Sequence, residues 1–212
     1  MIRAEHLIKP LCGELVRAEK SDPTVAFARY NEHHLHYALA RGIEDRGAKW
    51  IVLEGAHREY KRDLCDLYAE WDNGELWVEL KRGWHGYGKG WNSKPGEQLE
   101  SWLWDLCRLW RITGPKVRRA LVLVHFRQAC CEREGTPPPD PELVEKIAKR
   151  ITAGKGITTV LPRRVSAWQA PQLFARVLER ISMDYHESSP VPGRVPSQGG
   201  TALNYRFFAG VF

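Results

Sequence analysis

Asp72-Asn73-Gly74 restricts this chain more than any other feature. It parts two runs, residues 63–71 and 75–82, in which apolar and polar side chains alternate. Asn-Gly between alternating runs marks a tight β-hairpin. A two-residue turn at Asn73-Gly74 pairs Asp72 with Glu75, Tyr68 with Glu79 and Asp66 with Lys81. Cross-strand partners share a face and side chains alternate along a strand. Leu67 with Leu80, Ala69 with Val78 and Trp71 with Leu76 then form an apolar face. Asp66, Glu79 and Lys81 share the other, the two carboxylates as diagonal neighbours. A bulge or a longer turn would shift this register.

Around the hairpin the pattern predicts an α/β protein. Ser21-Asp22-Pro23 reads as a helix start, and the helix runs to about Asp45-Arg46, with Gly47 as a stop. Its inward stripe is Val25, Ala28, Glu32, Leu35, Leu39 and Ile43. Trp50-Ile51-Val52-Leu53 is a short buried strand ending at Glu54. A helix follows over residues 95–112, then the strand Ala120-Leu121-Val122-Leu123-Val124. Pro137-Pro138-Pro139 marks a boundary, with helices expected over 141–153 and 168–183 and a strand over 157–161. The order helix, three strands, helix, strand implies a mixed central sheet flanked by helices. Residues 1–136 form the core in this reading, 137–187 a helical extension packed on the same domain, and 188–212 an irregular tail in which Arg206-Phe207-Phe208 could dock as a strand.

Composition excludes several classes. The chain has 212 residues, 43% of them hydrophobic and 27% charged, enough for an ordinary buried core. No apolar run reaches the roughly 18 residues of a membrane span, and Met1-Ile2-Arg3-Ala4-Glu5 does not read as a secretory leader. Five cysteines (Cys12, Cys65, Cys107, Cys130 and Cys131) include no C-x-x-C pair, so a reduced, cytoplasmic protein with buried thiols is expected. Cys130-Cys131 near His125 lacks the spacing of a zinc site.

The formal charge is +6, and residues 80–119 hold all of it, with nine basic residues against three acidic ones. Six aromatics (Trp84, Tyr87, Trp91, Trp102, Trp104 and Trp110) stand in the same stretch. Cations interleaved with aromatics suit a polyanion, because basic groups release counterions from phosphates and rings stack on bases. Arg82, Trp84, Tyr87, Lys89, Trp91, Lys94, Arg108 and Arg111 are the candidate nucleic-acid contacts. The glycines between Gly83 and Gly96 allow close backbone approach.

Two carboxylates a few ångströms apart repel unless a cation lies between them, and their oxygens suit Mg²⁺ or Mn²⁺. A lysine beside them can hold a water or a phosphate oxygen, and Glu32 is a third acid on a core-facing stripe. Together these suit metal-assisted phosphodiester hydrolysis. Glu59-Tyr60-Lys61 is a second acid-x-lysine match, Asp63 a rival for Asp66, and Glu44 and Glu54 rivals for Glu32. His33, His34 and His36 are expected to be solvated.

The string from Asp66 through Glu79-Leu80-Lys81, with its flanking elements over about residues 22–126, resembles the PD-(D/E)xK nuclease superfamily. The resemblance implies a restriction-endonuclease-like αβββαβ core. It implies that Asp66, Glu79 and the Leu80 carbonyl ligate the metal, that Lys81 orients the nucleophilic water, and that Glu32 supports the metal through water or a second ion. Gln98-Leu-Glu-Ser-Trp102 is similar to the Gln-x-x-x-Tyr motif of exonuclease-like branches, where the glutamine orients site and substrate. Cys65 stands where the pattern has proline, and Trp102 where it has tyrosine.

The expected activity is Mg²⁺-dependent cleavage of DNA, with RNA open, in restriction, defence, repair or recombination. The alternatives are a nucleic-acid-binding subunit whose cleavage is weak or needs a partner chain, and a phosphate-ligand enzyme unrelated to nucleases. A homodimer or a subunit of a larger complex fits the chain's size, and no membrane partner is expected.

Overall fold

A computed structural model of the chain describes residues 2–21, 32–56, 64–85, 94–128, 137–162, 164–166, 168–195 and 201–212. In chain order the elements are α1 (Ala4–Ser21), α2 (Glu32–Glu44), β1 (Trp50–Ala56), β2 (Leu64–Trp71), β3 (Gly74–His85), α3 (Pro95–Arg111), β4 (Val117–Gln128), α4 (Pro141–Thr152), α5 (Gln169–Ile181), β5 (Asp184–Glu187), β6 (Val191–Val195) and β7 (Thr201–Val211). The strands form one open, mixed sheet in the order β1-β2-β3-β4-β7-β5, with β6 also on β7. Only β3 and β4 run parallel among these pairs, and α3 makes the crossover between them. No helix among the described residues is long and apolar enough to cross a membrane.

Both faces of the sheet are covered. Leu7, Leu11 and Leu15 of α1 and Leu35, Leu39 and Ile43 of α2 bury against Leu67, Val78, Leu80, Val122, Val124 and Phe207. Helices α3, α4 and α5 cover the other face, against Leu121, Leu123 and Phe208. Successive residues of β4 therefore enter opposite cores, which is why this strand reads as an unbroken apolar run. The apolar hairpin face is as expected, since Leu67, Ala69, Leu76, Val78 and Leu80 all enter the first core.

The hairpin register differs from the expectation. Trp71 pairs with Gly74, Glu70 with Glu75, Tyr68 with Trp77 and Leu67 with Val78, so the turn residues are Asp72 and Asn73. Gly74 does not occupy the left-handed region. It is needed because a Cβ there would stand 2.8 Å from the Lys116 carbonyl oxygen of the neighbouring strand end. Each residue's partner moves by two positions, and a two-residue shift keeps every side chain on its face. Regular pairing with β3 stops at Leu67, and alternation breaks just beyond it, since Leu67 enters the first core but Cys65 the second, so Asp66 does not take Lys81 as its cross-strand partner.

Four other expectations change. Helix α1 was not foreseen, because Pro10 lies inside it. Its ring is accommodated against α2, where a Cβ on Gly42 would meet Pro10 Cγ at 2.5 Å. Ser21 is the last residue of α1 rather than a helix start, and the rest of that start, with Val25 and Ala28, lies outside the described residues. Residues 157–161 form a turn whose Ile157 and Val160 plug the second core; apolar residues three apart are no strand alternation. The tail beyond Ser188 holds β6 and β7 rather than irregular chain. Its Pro, Gly and Ser content lowers strand propensity, but pairing of β7 along β4 from Val211 to Leu203 overrides it.

Candidate metal and acid-base site

Regular pairing of β2 with β3 ends at Leu67 and Val78, whereas β3 stays paired to β4 as far as His85. The β2 side of β3 is thus released at Glu79, and the acidic residues gather at this opening. The Leu80 N–H donates to Asp66 Oδ2 at 2.7 Å, so the Asp66 side chain takes up a donor that strand pairing leaves. Just before it, the Cys65 thiol is 3.0 Å from the Leu67 and Val78 carbonyl oxygens. Burial, with the negative charge of Glu79, pushes that thiol up to about 12, which makes it an inert filler at the position where the nuclease pattern has proline.

Glu79 is 1% exposed. Its Oε2 lies 3.2 Å from Lys81 Nζ and its Oε1 3.6 Å from Arg108 Nη2, yet Oε1 accepts no hydrogen bond among the described residues. Burial first, then the negative charge of Asp66, pushes this carboxyl up to about 8 against the pull of Lys81. Lys81 also reaches Asp66 Oδ2 at 3.5 Å and Asp105 Oδ2 at 3.3 Å. Burial would lower the lysine, but Asp105, Glu79 and Asp66 together hold it above its ordinary range. Asp105, paired with Arg108 one turn on, is raised by burial against the opposing pull of Lys81 and Arg108. Three carboxylates therefore face two cations, leaving one formal negative charge when all are ionised.

Helix α3 delivers Asp105 and Arg108, and Gly83 sets its approach. A Cβ on Gly83 would lie 2.7 Å from Trp102 Cζ2 and 2.8 Å from His125 Cδ2. Trp102 is buried edge-on against Phe174, with centroids 5.5 Å apart, and so acts as a wedge in the second core. Gln98 is half-buried one turn earlier.

The structure brings Asp66, Glu79 and Lys81 together and adds Asp105 and Arg108. Arg108 was expected at a nucleic-acid surface, but here it turns toward the acids. Asp105 could have been found by the reasoning applied to Glu32, since an acid on the buried stripe of Leu99, Trp102, Leu106 and Leu109 needs a partner. Glu32 opens α2, and its side chain lies outside the described residues. Of the remaining candidate contacts, Arg82 and Arg111 are half-buried and Lys94 is exposed and paired with Glu97 at 2.6 Å. Trp84 lies on β3 with its side chain outside the described residues, as are Tyr87, Lys89 and Trp91 and the rival acids Glu59 and Asp63. Part of the basic surplus is spent inside the fold: Arg118 bonds the Ile2 carbonyl oxygen, and Arg119 lies over the Trp110 and Phe212 rings.

The histidines also depart from expectation. His33 and His34 are exposed, but His36 is buried, with Nε2 3.8 Å from Asp66 Oδ1. His33, His36 and Glu54 each offer a ligand atom within 4.8 Å of the others, a group that could hold a metal ion.

Two carboxylates that converge on one lysine, with a buried oxygen lacking a hydrogen bond and one formal negative charge over when all are ionised, fit a hard divalent cation. Compared with protein-family models, curated protein sequences and solved structures, the chain finds no match in any of the three.

Proposed function

We propose that this protein is a metal-dependent nuclease that hydrolyses DNA phosphodiester bonds, with a core of the restriction-endonuclease-like, PD-(D/E)xK type. The observation that carries this reading is the convergence of Asp66 and Glu79 on Lys81 where β2 parts from β3, with Lys81 Nζ within 3.5 Å of both. Mg²⁺ or Mn²⁺ would be held by Asp66, Glu79 and the Leu80 carbonyl. Bound there, the ion supplies Lewis acidity and a water of lowered pKa.

The chain's own groups do the rest. Lys81, charged and held from three sides, orients the attacking water and stabilises negative charge on the phosphoryl oxygens. Asp105 and Arg108 hold Lys81 and Glu79 in position. Arg82 on β3 and Lys94 and Arg111 at the two ends of α3 are the proposed phosphate-backbone contacts, together with Trp84, Tyr87, Lys89 and Trp91.

A second reading is favoured by one observation: Lys81 and Arg108 already offset much of the acidic charge. In that case the fold is a nucleic-acid-binding subunit that does not cut unaided. Closed circular single-stranded DNA, supercoiled DNA and RNA, each incubated with Mg²⁺, Mn²⁺ or EDTA, separate the two. The nuclease reading expects metal-dependent cutting of DNA circles that disappears in Asp66→Asn and Lys81→Ala. Salt-sensitive binding without cutting supports the subunit, and equal cutting by the variants refutes the site.

A further inference from the structure

His33 and His36 stand three residues apart on α2, so both imidazoles lie toward one side of the helix. Their rings are 6.1 Å apart and nearly perpendicular, at 88°. Glu54, on β1, places Oε1 3.7 Å from His33 Nδ1. Glu54 is also the only non-glycine among the described residues with a positive φ, 54°. A left-handed conformation at a non-glycine residue in a strand is strained. The His33–Glu54 pair does not offset that cost, since its side chains are 73% and 53% exposed and exposed ion pairs contribute little. A ligand shared by the three side chains would give the strained conformation a purpose.

We infer that His33, His36 and Glu54 form a second cation centre, adjacent to Asp66 but built from a different donor set, and selective for a divalent ion of the zinc class. Two imidazoles and one carboxylate are borderline donors that suit Zn²⁺ and Co²⁺, whereas Mg²⁺ prefers oxygen alone. Three protein ligands leave a fourth position for water. His36 is 5% exposed and held by the fold, so one ligand is in place before the ion arrives. The bound ion ties the start of α2 to β1 beside Asp66. Nothing in this inference depends on cleavage.

The test is titration of the full chain with Zn²⁺ by calorimetry and with Co²⁺ by visible absorption, both in excess Mg²⁺ to fill oxygen-only sites. His33→Ala and Glu54→Gln change exposed side chains and should leave the fold intact. His34→Ala, on the same helix but outside the group, is the control. The expected result is one ion per chain, with affinity lower by about tenfold or more in His33→Ala and Glu54→Gln and unchanged in His34→Ala. Zn²⁺ should raise the Tm of the wild type and of His34→Ala only. Absence of binding in the wild type, or equal affinity in all four proteins, overturns the inference. Either outcome leaves the nuclease reading untouched, because cleavage is not the readout.

Discussion

Replacing Lys81 with methionine should destabilise the metal-free protein much more in alkali than in mild acid. Nζ stands 3.5, 3.2 and 3.3 Å from Asp66, Glu79 and Asp105. At an effective dielectric of about 20, each such pair is worth roughly 5 kcal/mol of Coulomb attraction. Desolvation of the four groups offsets most of this, and removing one partner from a buried ion pair costs a net of about 3–5 kcal/mol. That full cost requires ionised carboxylates. Glu79 is pushed up to about 8 by burial and by Asp66, so it is charged in alkali but already holds a proton in mild acid. The loss should therefore be about 3–5 kcal/mol near pH 9 and about 1–2 kcal/mol near pH 6. Urea unfolding in EDTA, followed by tryptophan fluorescence, measures both values. An equal loss at the two pH values, or a gain in stability, refutes the claim that Lys81 neutralises this cluster.

Two further outcomes follow from the same geometry. Glu79 titrates higher in the fold than its ordinary 4.5, so its contribution to metal-free stability is complete below about pH 4.5 and is lost as pH rises through about 8. Mg²⁺ held there as proposed would displace that proton, and should raise Tm more near pH 9 than near pH 6, which differential scanning calorimetry can check. Gly83→Ala forces a Cβ to within 2.7 Å of the Trp102 ring and 2.8 Å of His125. Neither ring can retract easily, so a loss of about 1–3 kcal/mol is expected, visible as a lower Tm.

The acidic cluster was legible in the sequence through its hairpin. The turn lies at Asp72-Asn73 instead of Asn73-Gly74, a displacement of two residues that keeps Glu79 and Lys81 on one face. Alternation breaks beside Asp66, with Leu67 in the first core and Cys65 in the second, and Asp66 reaches Lys81 through its side chain. Periodicity likewise located β1 through β4 and helices α3, α4 and α5. What stayed hidden depends on contacts between distant segments. Pro10 is tolerated in α1 only because Gly42 leaves room for its ring. β7 is a strand because β4 offers it an edge. His36 is buried because α2 meets β2 beside Asp66, a meeting that no local pattern announces. Asp105 and Arg108 become site residues only once Trp102 packs against Gly83 and fixes how α3 lies over β3.

The central claim is that Asp66 and Glu79 form a divalent-cation centre rather than a self-neutralised ion cluster. A crystal structure with Mn²⁺, read from its anomalous scattering, tests this most directly. A manganese peak in contact with both carboxylates is expected, gone in Asp66→Asn. Crystals soaked in Mn²⁺ that show no peak there, with Lys81 Nζ still shared by the three carboxylates, would contradict it.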